Sequence, residues 1–179
     1  MDPKQQSLRS KQRERQQRGE DFEAEIKRSW PLVENVWHMK IKDGGGSTTP
    51  ADRIILTKDV NILAEMKRTK GKSFKLGLLR QNQITGLLDF DQVIDRNFGL
   101  VIVSFHNPEI LLDETYAFRL IDGLKFMKQH NKLNIKLTEF QSEALSSVKI
   151  PRIGAGQPRY DLKELVQFVT GVYQSQYQN

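Results

Sequence analysis

Apolar residues in this chain occur in short runs with two different periods, which predict a mixture of helices and strands. Five segments have helical spacing, namely 19–30, 78–94, 122–130, 138–146 and 161–173. Five others have the length and composition of strands, namely 36–41, 52–56, 60–66, 98–105 and 116–121. The run 98–105 is apolar almost throughout, which is typical of a central strand buried on both faces. The order of these elements predicts an α/β fold with one central sheet flanked by helices.

The first 18 residues differ in composition from the rest of the chain. Six Lys and Arg against two acidic residues give this segment +4 of the net charge of +6. It has almost no apolar residues, so we expect a flexible basic tail over 1–18 and one folded domain over 19–175. The tail is interpreted either as a solvated leader or as an arm that gathers phosphates through Arg13, Arg15 and Arg18.

Composition excludes several kinds of site. The chain has no cysteine and three scattered histidines, so neither a thiolate zinc site nor a histidine-rich metal site is expected. No apolar run approaches the roughly 20 residues that span a bilayer, and the N-terminus has no apolar signal core. We therefore expect a cytoplasmic protein without a membrane partner. The basic excess favours an anionic partner such as nucleic acid.

Three charged residues lie on the predicted hairpin formed by 52–56 and 60–66. A tight turn places Glu65 back beside Asp52, and Lys67 projects from the same strand face as Glu65. Two carboxylates that hold Mg²⁺ beside an ammonium are suited to phosphodiester hydrolysis. The pattern Glu-x-Lys alone is weak evidence, because Glu25 and Lys27 also match it. The alternative interpretation is a solvated hairpin end with a surface ion pair.

Several blocks of sequence resemble a known family in the same order. They are Arg18-Gly19-Glu20-Asp21-Phe22-Glu23, Ser47-Thr48-Thr49, Pro50-Ala51-Asp52, Ala64-Glu65-Met66-Lys67, Gln83-Ile84, 98–105, Pro151-Arg152-Ile153 and Tyr160-Asp161-Leu162. Together they are similar to the PD-(D/E)xK signature of restriction-endonuclease-like nucleases. Within that group they most resemble the RecU-type Holliday junction resolvases of Gram-positive bacteria and their phages.

The resemblance implies a restriction-endonuclease-like fold and a magnesium-dependent endonuclease, with Mn²⁺ able to substitute. Asp52 and Glu65 would be metal ligands with the carbonyl of Met66. Lys67 would be the catalytic lysine, Gln83 would position water or phosphate, and Glu23 would be an accessory carboxylate. The implied active form is a homodimer that nicks a four-way DNA junction symmetrically.

The basic residues beside this site are predicted to contact the DNA backbone, with a solvated loop as the alternative. They are Arg68, Lys70, Lys72, Lys75 and, from the C-terminal region, Arg152. The chain departs from the family in its short Gly-rich loop 42–50 and in Thr48 and Thr49, which are displaced by two positions. Junction selectivity and the roles of these threonines are therefore open. The alternative functions are a nuclease for flap or duplex DNA and a non-catalytic DNA-binding recombination protein.

Overall fold

A six-stranded sheet forms the centre of the structure, a computed structural model that describes residues 3–42, 49–154 and 156–177. The strands of these residues are β1 (Trp37–Lys40), β2 (Arg53–Leu56), β3 (Asn61–Thr69), β4 (Ser73–Lys75), β5 (Asn97–Asn107), β6 (Leu112–Arg119), β7 (Asn134–Lys136), β8 (Ser147–Lys149), β9 (Arg152–Ile153) and β10 (Arg159–Tyr160). The central sheet has the order β1-β2-β3-β5-β6-β8. Its neighbours pair antiparallel except for β3 and β5, which are parallel.

Helices cover both faces of this sheet. They are α1 (Pro3–Ser29), α2 (Gln81–Val93), α3 (Leu120–Gln129), α4 (Leu137–Gln141) and α5 (Leu162–Tyr177). One face packs on α1 and α5 through a core that includes Phe22, Trp30 and Leu165. The other face packs on α2, α3 and α4 through a core that includes Leu87 and Phe126. Since successive side chains of a strand point to opposite faces, each central strand contributes to both cores.

The predicted fold class is confirmed, because a mixed α/β arrangement with helices around one central sheet is what the structure has. The run predicted as a central strand is β5, which pairs with β3 on one side and β6 on the other. None of the helices within the described ranges is long and apolar enough to cross a bilayer.

The predicted boundary at residue 18 does not separate two kinds of structure. Helix α1 runs without interruption from Pro3 to Ser29, so the described part of the expected tail is helical. Its polar side chains pair one turn apart, as Gln16 does with Glu20 and Gln17 with Asp21, both at 2.9 Å. Such pairs stabilise the part of α1 that precedes its first buried apolar residue, Phe22.

Several predicted element boundaries differ from the structure, and β6 (Leu112–Arg119) and α5 (Leu162–Tyr177) are among them. The helix expected over 138–146 ends at Gln141, because Glu143 takes a left-handed conformation with φ of 56°. Strand β8 follows it. In addition, β3 extends to Thr69 instead of ending at Met66, so part of the basic run lies in a strand. The pairing of β3 with β5 continues through Thr69 and Phe105, which keeps these charged residues in the sheet.

Candidate active site

The register between β2 and β3 brings the two predicted metal-binding carboxylates together. Arg53 pairs with Ala64, and the Asp52 N–H donates to the Ala64 carbonyl at 3.1 Å, which places Asp52 opposite Glu65. The Met66 N–H then donates to Oδ2 of Asp52 at 2.7 Å. Strand β3 continues past the last residue that pairs with β2, so this site lies where one edge of β3 becomes free of its neighbour.

Glu65 is the centre of the cluster, and its side chain has no exposed surface. Its Oε1 contacts the Lys67 ammonium and accepts a hydrogen bond from Nε2 of Gln83 at 2.6 Å. Gln83 is itself held, because its Oε1 accepts from the Arg80 N–H at 3.0 Å at the start of α2. The other carboxylate oxygen of Glu65, Oε2, is buried and accepts no hydrogen bond from an N–H group, and the Asp52 carboxyl is near enough to share a proton with the Glu65 carboxyl.

Burial and mutual repulsion oppose ionisation of both carboxyl groups. Burial, and then the charge of Asp52, raise the pKa of Glu65 to about 7, although Lys67 acts in the opposite direction. Burial also raises the pKa of Asp52, against the hydrogen bond from Met66 that lowers it. Two neighbouring buried carboxyl groups with raised pKa values favour the binding of a cation, because a cation stabilises their ionised forms.

Glu23, the predicted accessory carboxylate, lies beside this cluster on α1. Its Oε2 accepts from the Lys40 ammonium at 2.5 Å, and that bond raises the pKa of Lys40. Its charge also contributes to the raised pKa of Asp52. The structure therefore places Glu23 within electrostatic reach of Asp52, with Lys40 as its direct partner.

The donor atoms fit a hard divalent cation with few protein ligands. Within the described ranges, no three His, Cys, Asp or Glu side chains are grouped closely enough to hold an ion. Asp52 and Glu65 offer carboxylate oxygens, and Oε2 of Glu65 accepts no hydrogen bond from an N–H group. The carbonyl of Met66 faces the same strand edge as its N–H, which contacts Asp52. An all-oxygen set completed by water suits Mg²⁺.

Most residues predicted to contact DNA lie on the surface. Arg13 and Arg15 are exposed on α1, as are Lys72 and Lys75 near β4. Arg18 is partly buried and lies 3.7 Å from Glu14, and Lys70 contacts Glu109 at 3.1 Å.

Arg68 is a correction to these predictions, because its side chain is only 3% exposed. Its guanidinium donates to Glu25 at 2.5 Å, to the Tyr160 hydroxyl at 2.9 Å and to Ser104 at 3.1 Å. It also lies over the Phe22 ring. A DNA phosphate cannot reach a guanidinium that is enclosed in this way, so Arg68 has a structural role.

Arg152 belongs to the same network. It donates to Glu25 at 3.0 Å and to Asp113 at 2.6 Å, so both terminal nitrogens of its guanidinium contact carboxylates. This arrangement ties the C-terminal segment to α1. The Arg152 side chain is still 23% exposed, so its contact with DNA stays a prediction.

Sequence reasoning missed Glu25 as the centre of this network. The signal was present, since an acidic residue lies between Phe22 and Ile26 on the apolar stripe of α1. A carboxylate on a buried face needs cationic partners, and Arg68 in β3 supplies one.

The segment that precedes Asp52 is held by α2. Nδ2 of Asn82 donates to the Thr49 carbonyl at 2.5 Å. A Cβ atom placed on Gly86 would lie 2.4 Å from Cβ of Pro50, so helix and segment pack in close contact. Thr48 and most of the Gly-rich loop, residues 43–48, lie outside the described residues.

The chain has structural likeness to known proteins but no match in sequence. No protein-family model matches the sequence, and no curated protein matches it. The fold is similar to that of Hjc, a Holliday junction resolvase from the archaeal hyperthermophile Archaeoglobus fulgidus. The two share a TM-score of 0.42 and 14% sequence identity, over 60% of this chain and 80% of that one.

Proposed function

We propose that this protein is a metal-dependent endonuclease of the restriction-endonuclease-like kind that hydrolyses phosphodiester bonds in branched DNA. The observation that carries the proposal is the cluster of Asp52, Glu65 and Lys67 at the open edge of β3, where one oxygen of a buried carboxylate accepts no hydrogen bond from an N–H group. Two acidic side chains at one buried place are unfavourable for the fold unless a cation joins them, and Lys67 is the cationic side chain that contacts Glu65.

The residues of the cluster have distinct roles in this reaction. When bound by Asp52, Glu65 and the Met66 carbonyl, Mg²⁺ or Mn²⁺ would polarise the phosphate and acidify a water. Gln83 holds the Glu65 carboxylate in a fixed orientation through its own bond to Arg80. Lys67 places an ammonium beside Glu65, where it can stabilise negative charge that develops on the phosphate.

The substrate and assembly follow from the resemblance to RecU-type resolvases and from the basic surface. A four-way junction presents two opposed strands, so symmetrical nicking would require a homodimer with two sites. The exposed edge strand β1 has Trp37 and Met39 at the surface, which gives a second copy apolar area to cover. Action on DNA in recombination and repair would place the protein in the cytoplasm of a Gram-positive bacterium or of a phage host.

The test is a cleavage assay with four-way junction, flap and linear duplex substrates, each with and without Mg²⁺. We expect junction cleavage that depends on the ion, and a loss on the order of 100-fold or more in Asp52→Asn and Glu65→Gln. DNA binding should persist in both variants. Asp59→Asn is the matched control, because Asp59 is an exposed acid on the turn between β2 and β3.

Each other outcome points to one of the alternatives. Equal cleavage of all three substrates would replace the resolvase by a less selective nuclease. Salt-sensitive DNA binding without product under any metal would favour a recombination accessory protein. Undiminished cleavage by Asp52→Asn or Glu65→Gln would remove the proposed site.

A further inference from the structure

Strands β4 and β7 form a two-stranded ribbon on the α2 side of the central sheet, which we call the β4–β7 ribbon. Phe74 pairs with Ile135, and both side chains are buried in the core, where Phe74 contacts Phe118 at 5.3 Å between ring centroids. Because side chains alternate along a strand, the next positions, Lys75 and Lys136, lie on the opposite, outer face. The aromatic core therefore fixes which face of the ribbon meets solvent.

The ribbon is connected to the candidate active site at both ends of β4. The chain leaves the site after Lys67 in β3, forms β4, and returns to the site at Gln83 in α2. Backbone hydrogen bonds close both sides of the ribbon, from the Leu137 N–H to the Lys72 carbonyl at 2.9 Å and from the Leu76 N–H to the Leu133 carbonyl at 3.0 Å. These connections and hydrogen bonds hold the β4–β7 ribbon in a fixed position next to the candidate active site.

The sequence that includes β4 carries only positively charged side chains. Residues 66–88 include six Lys and Arg and no acidic residue. Lys72, Lys75 and Lys136 are exposed, and none of them has an ion pair among the residues that the structure describes. Nearby lysines differ, since Lys70 contacts Glu109 and Lys132 contacts Glu139.

Glu139 is the acidic group that faces the ribbon from α4, and it is already engaged. Its Oε1 contacts the Lys132 ammonium, and its Oε2 accepts from the Lys136 N–H at 2.7 Å. The charge of Glu139 also attracts Lys136, but no ion pair engages the ammonium groups of Lys72, Lys75 or Lys136 among the described residues, so all three can meet an external anion.

We propose that the outer face of the β4–β7 ribbon binds the phosphate backbone of the DNA substrate beside the scissile bond. Lys136 lies opposite Ser73 and Lys75 lies opposite Asn134, so the two lysines are diagonal neighbours. Such positions are about 7–8 Å apart. A DNA strand carries one phosphate for about every 3.4 Å of the helix axis, so lysines at this spacing can contact neighbouring phosphates of one strand. Contacts of this kind position the strand without reading its sequence.

This inference rests on the proposed function for the choice of DNA as the partner and for the scissile bond nearby. It adds a residue that sequence analysis did not select, Lys136, because only the pairing of β4 with β7 brings it beside Lys75.

The test compares two double variants with the same change of charge. Lys75→Gln/Lys136→Gln alters the ribbon, and Lys58→Gln/Lys163→Gln alters exposed lysines on the β2–β3 turn and on α5. Binding of a labelled four-way junction and of a linear duplex is followed by fluorescence anisotropy in EDTA, over a range of salt concentrations. A third variant, Lys75→Arg/Lys136→Arg, retains the charge.

We expect the ribbon variant to bind both DNAs about tenfold more weakly at moderate salt, with the slope of log K against log salt smaller by about 2. The control and the arginine variant should bind like the wild type. Wild-type affinity and slope in the ribbon variant would overturn the proposal. An equal loss in the control would also overturn it, because the effect would then be one of overall charge.

The two proposals fail separately, because binding in EDTA does not depend on catalysis. Loss of binding in the ribbon variant of a protein that cleaves no substrate would support the ribbon and end the nuclease proposal. Metal-dependent cleavage with unchanged binding in the ribbon variant would support the nuclease proposal and end the ribbon proposal.

Discussion

Glu65 has a carboxylate that the fold buries completely and supplies with N–H donors on one oxygen only. Burial of an acceptor without a partner destabilises a folded protein by about 1–3 kcal/mol. Proximity to Asp52 adds repulsion when both groups are ionised. Residues that weaken the fold in this way are typical of functional sites, since a stable core would place an amide or an apolar side chain here.

The raised pKa of Glu65 predicts how stability changes with pH in the metal-free protein. The folded-state pKa of about 7 lies above the ordinary value of 4.5, so between these values the folded state holds more protons than the unfolded state. Stability should therefore fall as pH rises from about 5 to 7.5, by a few kcal/mol at most. Urea unfolding in EDTA at several pH values measures this change.

Glu65→Gln is the comparison for that prediction, because its amide does not titrate. The difference in unfolding free energy between this variant and the wild type should shift in favour of the variant as pH rises. A constant difference from pH 5 to 8 would show that Glu65 ionises normally in the folded protein.

At Gly86 in α2, the close contact between this helix and Pro50 outweighs the low helix propensity of glycine. Glycine in a helix interior is less favourable than alanine by about 1 kcal/mol, which weakens the helix prediction for 78–94. The structure gives the reason for glycine, because a Cβ atom here would lie 2.4 Å from Cβ and 2.9 Å from Cα of Pro50. Pro50 leads directly into Asp52, so this contact also sets the position of a metal-binding residue.

Gly86→Ala is therefore expected to destabilise the protein by about 1–3 kcal/mol, despite its better helix propensity. It should also lower metal-dependent cleavage, since α2 and the segment 49–52 must move apart. The measurements are chemical denaturation and the junction assay.

Gly19→Ala in α1 is the matched control. No atom lies within 4 Å of a Cβ placed there, so this variant should be stabilised by up to about 1 kcal/mol. Stabilisation by Gly86→Ala as well would show that α2 does not pack closely on Pro50.

At the scale of single elements, the sequence was informative wherever the spacing of apolar and polar residues decides the type of element and the face on which a side chain lies. A hairpin and a period of two were enough to predict that Asp52, Glu65 and Lys67 converge. The ribbon was missed because β4 and β7 are three residues each and pair across the intervening β5, β6 and α3. The burial of Arg68 was missed because its partners, Glu25 and Tyr160, come from opposite ends of the chain.

At the scale of the whole molecule, the positive charge is divided between the two sides of the sheet. Helix α1 projects exposed arginines on one side, and the β4–β7 ribbon presents lysines on the other. The open edge of β3, with the carboxylates, lies between these elements. A DNA strand approaching that edge would meet basic residues on both sides, which favours association at low salt.

The first half of α1 should contribute to DNA association without contributing to stability. Arg9, Arg13 and Arg15 are exposed, and the apolar contacts of α1 begin at Phe22. Replacing all three arginines by glutamine should weaken DNA binding and reduce its salt dependence, while glutamine preserves helix propensity. The unfolding midpoint should stay within a degree or two of the wild type.

Anisotropy titrations and thermal unfolding measure these two effects, with Lys58→Gln/Lys163→Gln as the control for charge. Unchanged salt dependence in the arginine variant would mean that α1 does not meet the DNA.

Lys67 and Arg68 are consecutive in β3, yet one ammonium reaches the candidate active site and the neighbouring guanidinium enters the opposite core. A single residue inserted into or deleted from β3 before them would exchange their destinations. The Arg68 guanidinium would then lie beside the carboxylates of the candidate active site, and Glu25 would lose the hydrogen bonds that this guanidinium donates. Chain length can therefore vary at the turn over 57–59 but not between Asn61 and Arg68 without loss of both the site and the buried network.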